Sequence, residues 1–179
     1  RDGAGGSEKI SFTYGTTEYS YLPTVTPPKL PGWTFRGYCD DETTNPYQYI
    51  LADGTVNPKR ADLSSDLSEY NLLMRENGST LYAWWTREVT LDPNGGTAGE
   101  RAKVTVQKGK PLGLLYTTSS LNQDLNSLFW ADADERSKAK PSRDGYAFSG
   151  FYDSANGTTK FLDSNCNSTA EAVVSTALA

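Results

Sequence analysis

Apolar and polar positions alternate along two aromatic stretches that read alike. Gly32-Trp33-Thr34-Phe35-Arg36-Gly37-Tyr38-Cys39-Asp40 and Gly145-Tyr146-Ala147-Phe148-Ser149-Gly150-Phe151-Tyr152-Asp153 both run glycine, aromatic, small residue, Phe, polar residue, glycine, aromatic. Successive side chains of a strand point to opposite faces, so Trp33, Phe35, Gly37 and Cys39 share one face. Tyr146, Phe148, Gly150 and Tyr152 share the corresponding face of the second stretch. The central glycine either leaves room for a neighbouring aromatic across the backbone or marks a bulge. Each stretch follows prolines (Pro27, Pro28 and Pro31; Pro141) and precedes a polar turn and an apolar patch, Tyr49-Ile50-Leu51 or Phe161-Leu162. Matching order over this length predicts an internal repeat.

Further strands follow from the same alternation. Leu81-Tyr82-Ala83-Trp84-Trp85 places Leu81, Ala83 and Trp85 on one face, with Tyr82 and Trp84 on the other. Val89-Thr90-Leu91 then leads into Asp92-Pro93-Asn94-Gly95-Gly96-Thr97, and Lys103-Val104-Thr105-Val106-Gln107 returns. Asn-Gly accepts positive φ at both central turn positions, which predicts a hairpin. Helical spacing joins Leu63, Leu67, Tyr70 and Met74 behind Asp62 as a cap. It also joins Leu121, Leu125, Leu128 and Phe129 behind Ser119 or Ser120. The expected fold class is therefore α+β, with small mixed sheets each covered by one helix.

Composition fits a folded chain: 12% of residues are aromatic, enough to build a core at a net charge of -5. The acidic balance and the lack of a Lys/Arg stripe exclude a nucleic-acid partner. No apolar run is long enough for a transmembrane segment, and Arg1 at the first position is expected of a mature or trimmed product. Two cysteines, Cys39 and Cys166, do not make a disulfide scaffold.

The repeated residues resemble the Listeria–Bacteroides repeat, also called the internalin B-repeat. The hairpin opening Val89 to Thr97, the aromatic strands Pro31 to Asp40 and Asp144 to Asp153, and the closing strand Thr80-Leu81-Tyr82-Ala83-Trp84-Trp85 carry the likeness. The resemblance implies tandem β-grasp-like modules of large secreted or wall-attached bacterial proteins, structural or adhesive in activity. Two copies are expected, at residues 1–86 and 87–179. The first lacks its opening strand, with Gly3-Ala4-Gly5-Gly6-Ser7 as the tail of that hairpin. The second has a helical insertion at about 117–140 and an incomplete closing strand. Cys39 stands where the pattern usually has an aromatic residue.

Candidate chemistry is sparse. Without histidine there is no Ser-His-Asp or Cys-His arrangement, and the two cysteines cannot complete a zinc tetrahedron. Asn94-Gly95-Gly96 has no following lysine and helix, so it is not a phosphate loop. Asp40-Asp41-Glu42 and Asp132, Asp134 and Glu135 read as solvated acidic turns; a glycosidase pair or a calcium loop needs features absent here. Neither catalysis, nor a metal, nor any other cofactor is expected. Trp33 and Trp85 fall on core faces, and Cys39 beside them reads as an inert buried thiol. Trp84, Tyr82 and Trp130 are the candidate contacts, for packing against a partner or neighbouring repeat or for stacking on a sugar. Asn77, Asn156 and Asn167 open glycosylation-type triplets, read as features of an Asn/Ser/Thr-rich surface.

These residues lead to two readings. The first is a non-catalytic repeat segment of a secreted or cell-surface bacterial protein, a semi-rigid spacer or adhesive stalk. Its expected partners are neighbouring repeats, another copy of the chain, or a host or surface protein. The second is a glycan-binding module of an exported adhesin or enzyme. The bare strand edges expected at the ends of the repeats invite pairing with another strand.

Overall fold

The computed structural model describes residues 3–6, 24–39, 48–55, 57, 80–110, 112 and 133–169. The chain divides into two compact units, with the division between Trp85 and Thr86. In chain order the elements are β1 (Thr34–Cys39), β2 (Gln48–Leu51), β3 (Tyr82–Thr90), β4 (Lys103–Gln107), the helix α1 (Ala133–Ser137), β5 (Phe151–Tyr152) and β6 (Lys160–Leu162). Hydrogen-bonded neighbours run β2-β1-β3-β4, with β5-β6 a separate ladder.

In the first unit β1 and β2 are antiparallel. Gly37 pairs with Leu51 and Tyr38 with Ile50; the register then slips, so that Cys39 faces Gln48. Alternation buries Phe35, Gly37 and Cys39. Phe35 meets Tyr38 and Trp85 edge-on at ring separations of 5.1 and 5.4 Å, each contact adding about 0.5–1.5 kcal/mol to simple burial. Val25, Tyr49 and Ile50 form a buried cluster, with Tyr38 and Leu81 packed against it.

In the second unit β3 and β4 pair antiparallel from Thr86↔Gln107 to Thr90↔Lys103. Beyond them, Leu91 donates its N–H to the Ala102 carbonyl at 2.7 Å. The Asn-Gly turn takes left-handed φ at both residues, 47° at Asn94 and 79° at Gly95, with Gly96 N–H donating to the Pro93 carbonyl at 3.0 Å. Val104, Val106, Phe151, Phe161, Leu162 and Cys166 are buried.

Geometry is duplicated as well as sequence. Gly32 and Gly145 have φ of 73° and 75°, and Gly37 and Gly150 have 130° and 141°. Trp33 N–H donates to the Leu30 carbonyl at 3.0 Å, as Tyr146 N–H does to Arg143 at 3.1 Å. Ala4 and Lys29 exchange both backbone hydrogen bonds, as do Thr97 and Ser142. β5 and β6 pair Phe151↔Leu162 and Tyr152↔Lys160 across a slip placed like that between Tyr38 and Cys39. Turns leaving β2 and β6 close through Gly54 N–H to Leu51 O and Cys166 N–H to Asp163 O, at 3.0 and 2.9 Å. Asn57 N–H donates to the Tyr49 carbonyl and Thr169 N–H to that of Phe161. Local backbone conformation is thus carried by the repeated glycines and turn residues, not by one copy's surroundings.

The expected α+β class is overturned: among the described residues the fold is small and sheet-rich, and the one helix they contain has five residues. That helix, Ala133–Ser137, buries none of its residues, so it has no apolar stripe with which to cover a sheet. Among the described residues, most of the large buried side chains stand on strands. The helical spacings at 62–74 and 119–129 lie outside the described residues; only the end of the expected insertion is represented, by α1. The room made by the central glycine is also used differently. A Cβ on Gly37 would overlap the Ile50 carbonyl oxygen and the Gln48 amide, and one on Gly150 would overlap the Leu162 carbonyl. A bulge and a polar side chain occupy the space, not an aromatic ring.

Candidate functional site

Of the three candidate contact residues, Trp84 is buried at 5% exposure, although its strand alternation set it opposite the core-facing Trp85. Trp85 is buried too, so β3 is covered on both faces where the two rings lie. Trp84 Nε1 has no hydrogen-bond partner. Tyr82 is half-buried. Trp130 lies outside the described residues, as do Asp40, Asp41, Glu42 and Asp132. The structure therefore does not assemble Tyr82 and Trp84 into an open aromatic platform.

Exposed rings lie elsewhere. Tyr146 is 69% and Tyr152 37% exposed, against a half-buried Trp33 and a fully buried Cys39 at the equivalent places in the first copy. Arg143 lies over the Tyr146 ring, its guanidinium carbon 4.4 Å from the centroid, and donates to the Asn94 carbonyl at 3.1 Å. Lys160 Nζ stands 5.3 Å from the centroid of Tyr152. Hydrogen bonds from Ser149 and then Lys160 hold the Tyr152 phenol below its ordinary pKa. Between these rings Phe148 is half-buried and meets Phe151 edge-on at 5.0 Å, as Phe35 meets Tyr38. The sequence did not reveal these exposed rings because the two aromatic stretches look alike. Their difference lies in what stands beside them.

The acidic residues within the described region are tied down locally. Glu135 accepts from Lys138 and Arg101, and the Lys138 hydrogen bond is the main reason its carboxyl is held below the usual range. The Asp163 carboxylate accepts from the Asn165 and Asn167 backbone N–H groups at 2.8 Å and from Asn167 Nδ2 at 3.0 Å. Asn167 is its principal partner and lowers its pKa. That contact also occupies the amide a glycan would need, whereas Asn156 is exposed. Among the described residues, no group of three or more cysteines and carboxylates could hold a metal ion, and no helix is long and apolar enough to cross a membrane.

Buried polar groups serve the backbone. Gln48 is 1% exposed; its Nε2 donates to the Arg36 carbonyl at 2.5 Å, while its Oε1 has no hydrogen-bond partner. Asn57 Nδ2 donates to the Gln48 carbonyl at 3.0 Å. Thr169 Oγ1 serves the Lys160 carbonyl in the same way. Both cysteines are buried thiols outside any disulfide, and burial pushes the Cys166 thiol up. The arrangement joins and braces strands. No protein-family model, curated protein or solved structure matches the chain.

Proposed function

We propose that this chain is a non-catalytic two-repeat segment of a secreted or cell-surface bacterial protein, acting as a semi-rigid spacer or adhesive stalk. The observation that carries the reading is the duplicated geometry joined without a linker: the division between the two compact units falls inside β3, between Trp85 and Thr86. A joint made by a hydrogen-bonded strand has none of the freedom of a Gly/Ser connection. The resemblance of the repeated motifs to the Listeria–Bacteroides repeat supports the extracellular bacterial setting. The chain's polar character, with a mean hydropathy of -0.59, is compatible with it. Its partners on this reading are neighbouring repeats or another protein surface.

Backbone ¹⁵N relaxation tests the stiffness. One rotational diffusion tensor should account for the strand residues of both units. Two independent correlation times would overturn the spacer reading. The glycan-binding reading was built on Tyr82, Trp84 and Trp130: Trp84 is buried, Trp130 lies outside the described residues, and the most exposed large ring among them, Tyr146, has Arg143 over one face.

A further inference from the structure

In the first copy, the aromatic strand is flanked on both sides. Its ladder to β2 covers Gly37, Tyr38 and Cys39, and β3 is its neighbour on the other side. Residues 34–36 belong to β1 but lie outside the β2 ladder, and β3 is hydrogen-bonded to β1. From β3 comes Trp85, whose ring packs edge-on against Phe35 and leaves Phe35 9% exposed.

The second copy repeats the inner half of this arrangement and not the outer half. Phe151 and Tyr152 pair with β6 across the same slip. Residues 147–149, which correspond to 34–36, are not in a strand and make no backbone hydrogen bond among the described residues. Phe148 keeps its edge contact with Phe151 but has no described counterpart of Trp85 against it. Tyr146 and Tyr152, on either side of it in the chain, stand exposed. A backbone segment outside any strand, making no described backbone hydrogen bond and lying beside a large apolar side chain, can take up one more strand.

We infer that the backbone at residues 147–149, with the half-buried Phe148 beside it, is an acceptor site for a β-strand. The occupant is an extended segment of alternating large apolar residues, of the kind Leu81-Tyr82-Ala83-Trp84-Trp85 supplies to the first copy. The site takes backbone hydrogen bonds along 147–149 and a bulky ring against Phe148. A repeat of the same type elsewhere in an array, or in another molecule, carries such a segment. The inference stands on the comparison of the two copies and not on the extracellular setting, so either can fail without the other.

The test uses the whole 179-residue chain and a labelled synthetic peptide, Thr-Leu-Tyr-Ala-Trp-Trp-Thr, with charged flanking residues for solubility. Fluorescence anisotropy should show saturable binding. Amide resonances of 147–149 should shift, and their hydrogen exchange should slow. Phe148→Ala should weaken binding about tenfold. A peptide N-methylated at both its alanine and its first tryptophan should not bind, because backbone donors on both edges of the strand are then lost. That control leaves the protein unaltered and decides the matter should Phe148→Ala fail to fold. The inference is overturned if binding does not saturate, or if the N-methylated peptide binds equally well, which would mean mere apolar adhesion. Shifts confined to 34–36 would also overturn it, as strand exchange in the first copy. So would a response of the Tyr146 region to soluble oligosaccharides but not to the peptide.

Discussion

Gly37 and Gly150 occupy backbone conformations that side chains rarely adopt, φ 130° and 141°, each with a carbonyl oxygen where a Cβ would stand. Replacing either by alanine should cost at least about 2 kcal/mol, through backbone strain and the displaced carbonyl. Urea denaturation of the two variants measures this; a loss below 0.5 kcal/mol, roughly the noise of surface substitutions, would contradict the geometry. Gly54 and Cys166 show how far equivalence extends. Both are left-handed, at 88° and 60°, but a Cβ on Gly54 would overlap the Val25 carbonyl, whereas Cys166 carries its side chain into a fully buried place. Cys166 and Cys39 are thiols without exposure. Neither should react with Ellman's reagent in the native state, and both should react once the chain is unfolded; rapid labelling of folded protein would contradict their burial.

At the scale of elements, the repeated contact is a polar side chain bracing the strand before it. Asn57 donates to the Gln48 carbonyl and Thr169 to the Lys160 carbonyl. Asn57→Ala leaves a buried carbonyl without that donor and should destabilise the fold by about 1–3 kcal/mol. Thr169→Val should cost less, because Thr169 is half-buried and solvent can replace its hydroxyl. Equal losses measured by denaturation would show that burial does not set the difference. The turn at 163–167 depends on charge. Its Asp163 carboxyl has a lowered pKa in the fold, caused first by Asn167. The unfolded chain therefore binds the proton first as pH falls, and the contribution present above the ordinary carboxylate pKa is lost as pH drops through the folded value. The stability difference between wild type and Asp163→Asn should accordingly shrink on acidification; a pH-independent difference would exclude this cause.

For the molecule as a whole, the absence of histidine has a direct consequence. No unperturbed side chain changes charge between about pH 6 and 8, and the Cys166 thiol is moved upward, away from that window. Thermal stability should be flat there and fall in acid, where Asp163, Glu135 and Asp53, all with lowered pKa values, take up protons. A midpoint that moves appreciably between pH 6 and 8 would require a titrating group that the fold does not show. The joint is the second feature at this scale. Inserting Gly-Gly-Ser-Gly between Trp85 and Thr86 interrupts β3 where its pairing with β4 begins. Calorimetry should then resolve two transitions. Persistence of one unchanged transition would mean that the strand does not couple the units.

Much of the local structure was legible in the sequence because it depends on short-range constraints. Two-residue alternation placed β1 and its buried Phe35 and Cys39. Asn94-Gly95 marked the left-handed turn because few residues tolerate positive φ, and the duplicated glycines marked duplicated backbone. The expectation of a helix covering each sheet fails among the described residues, which are sheet-rich and whose one helix, Ala133–Ser137, buries nothing; the apolar-spaced segments behind that expectation lie outside them. Exposure was likewise decided by tertiary structure. Trp84 became buried, and Tyr146 stayed open although the sequence around it reads like that around Trp33. A side chain's own residues set which way it points, but only neighbours distant in the chain determine whether anything covers it.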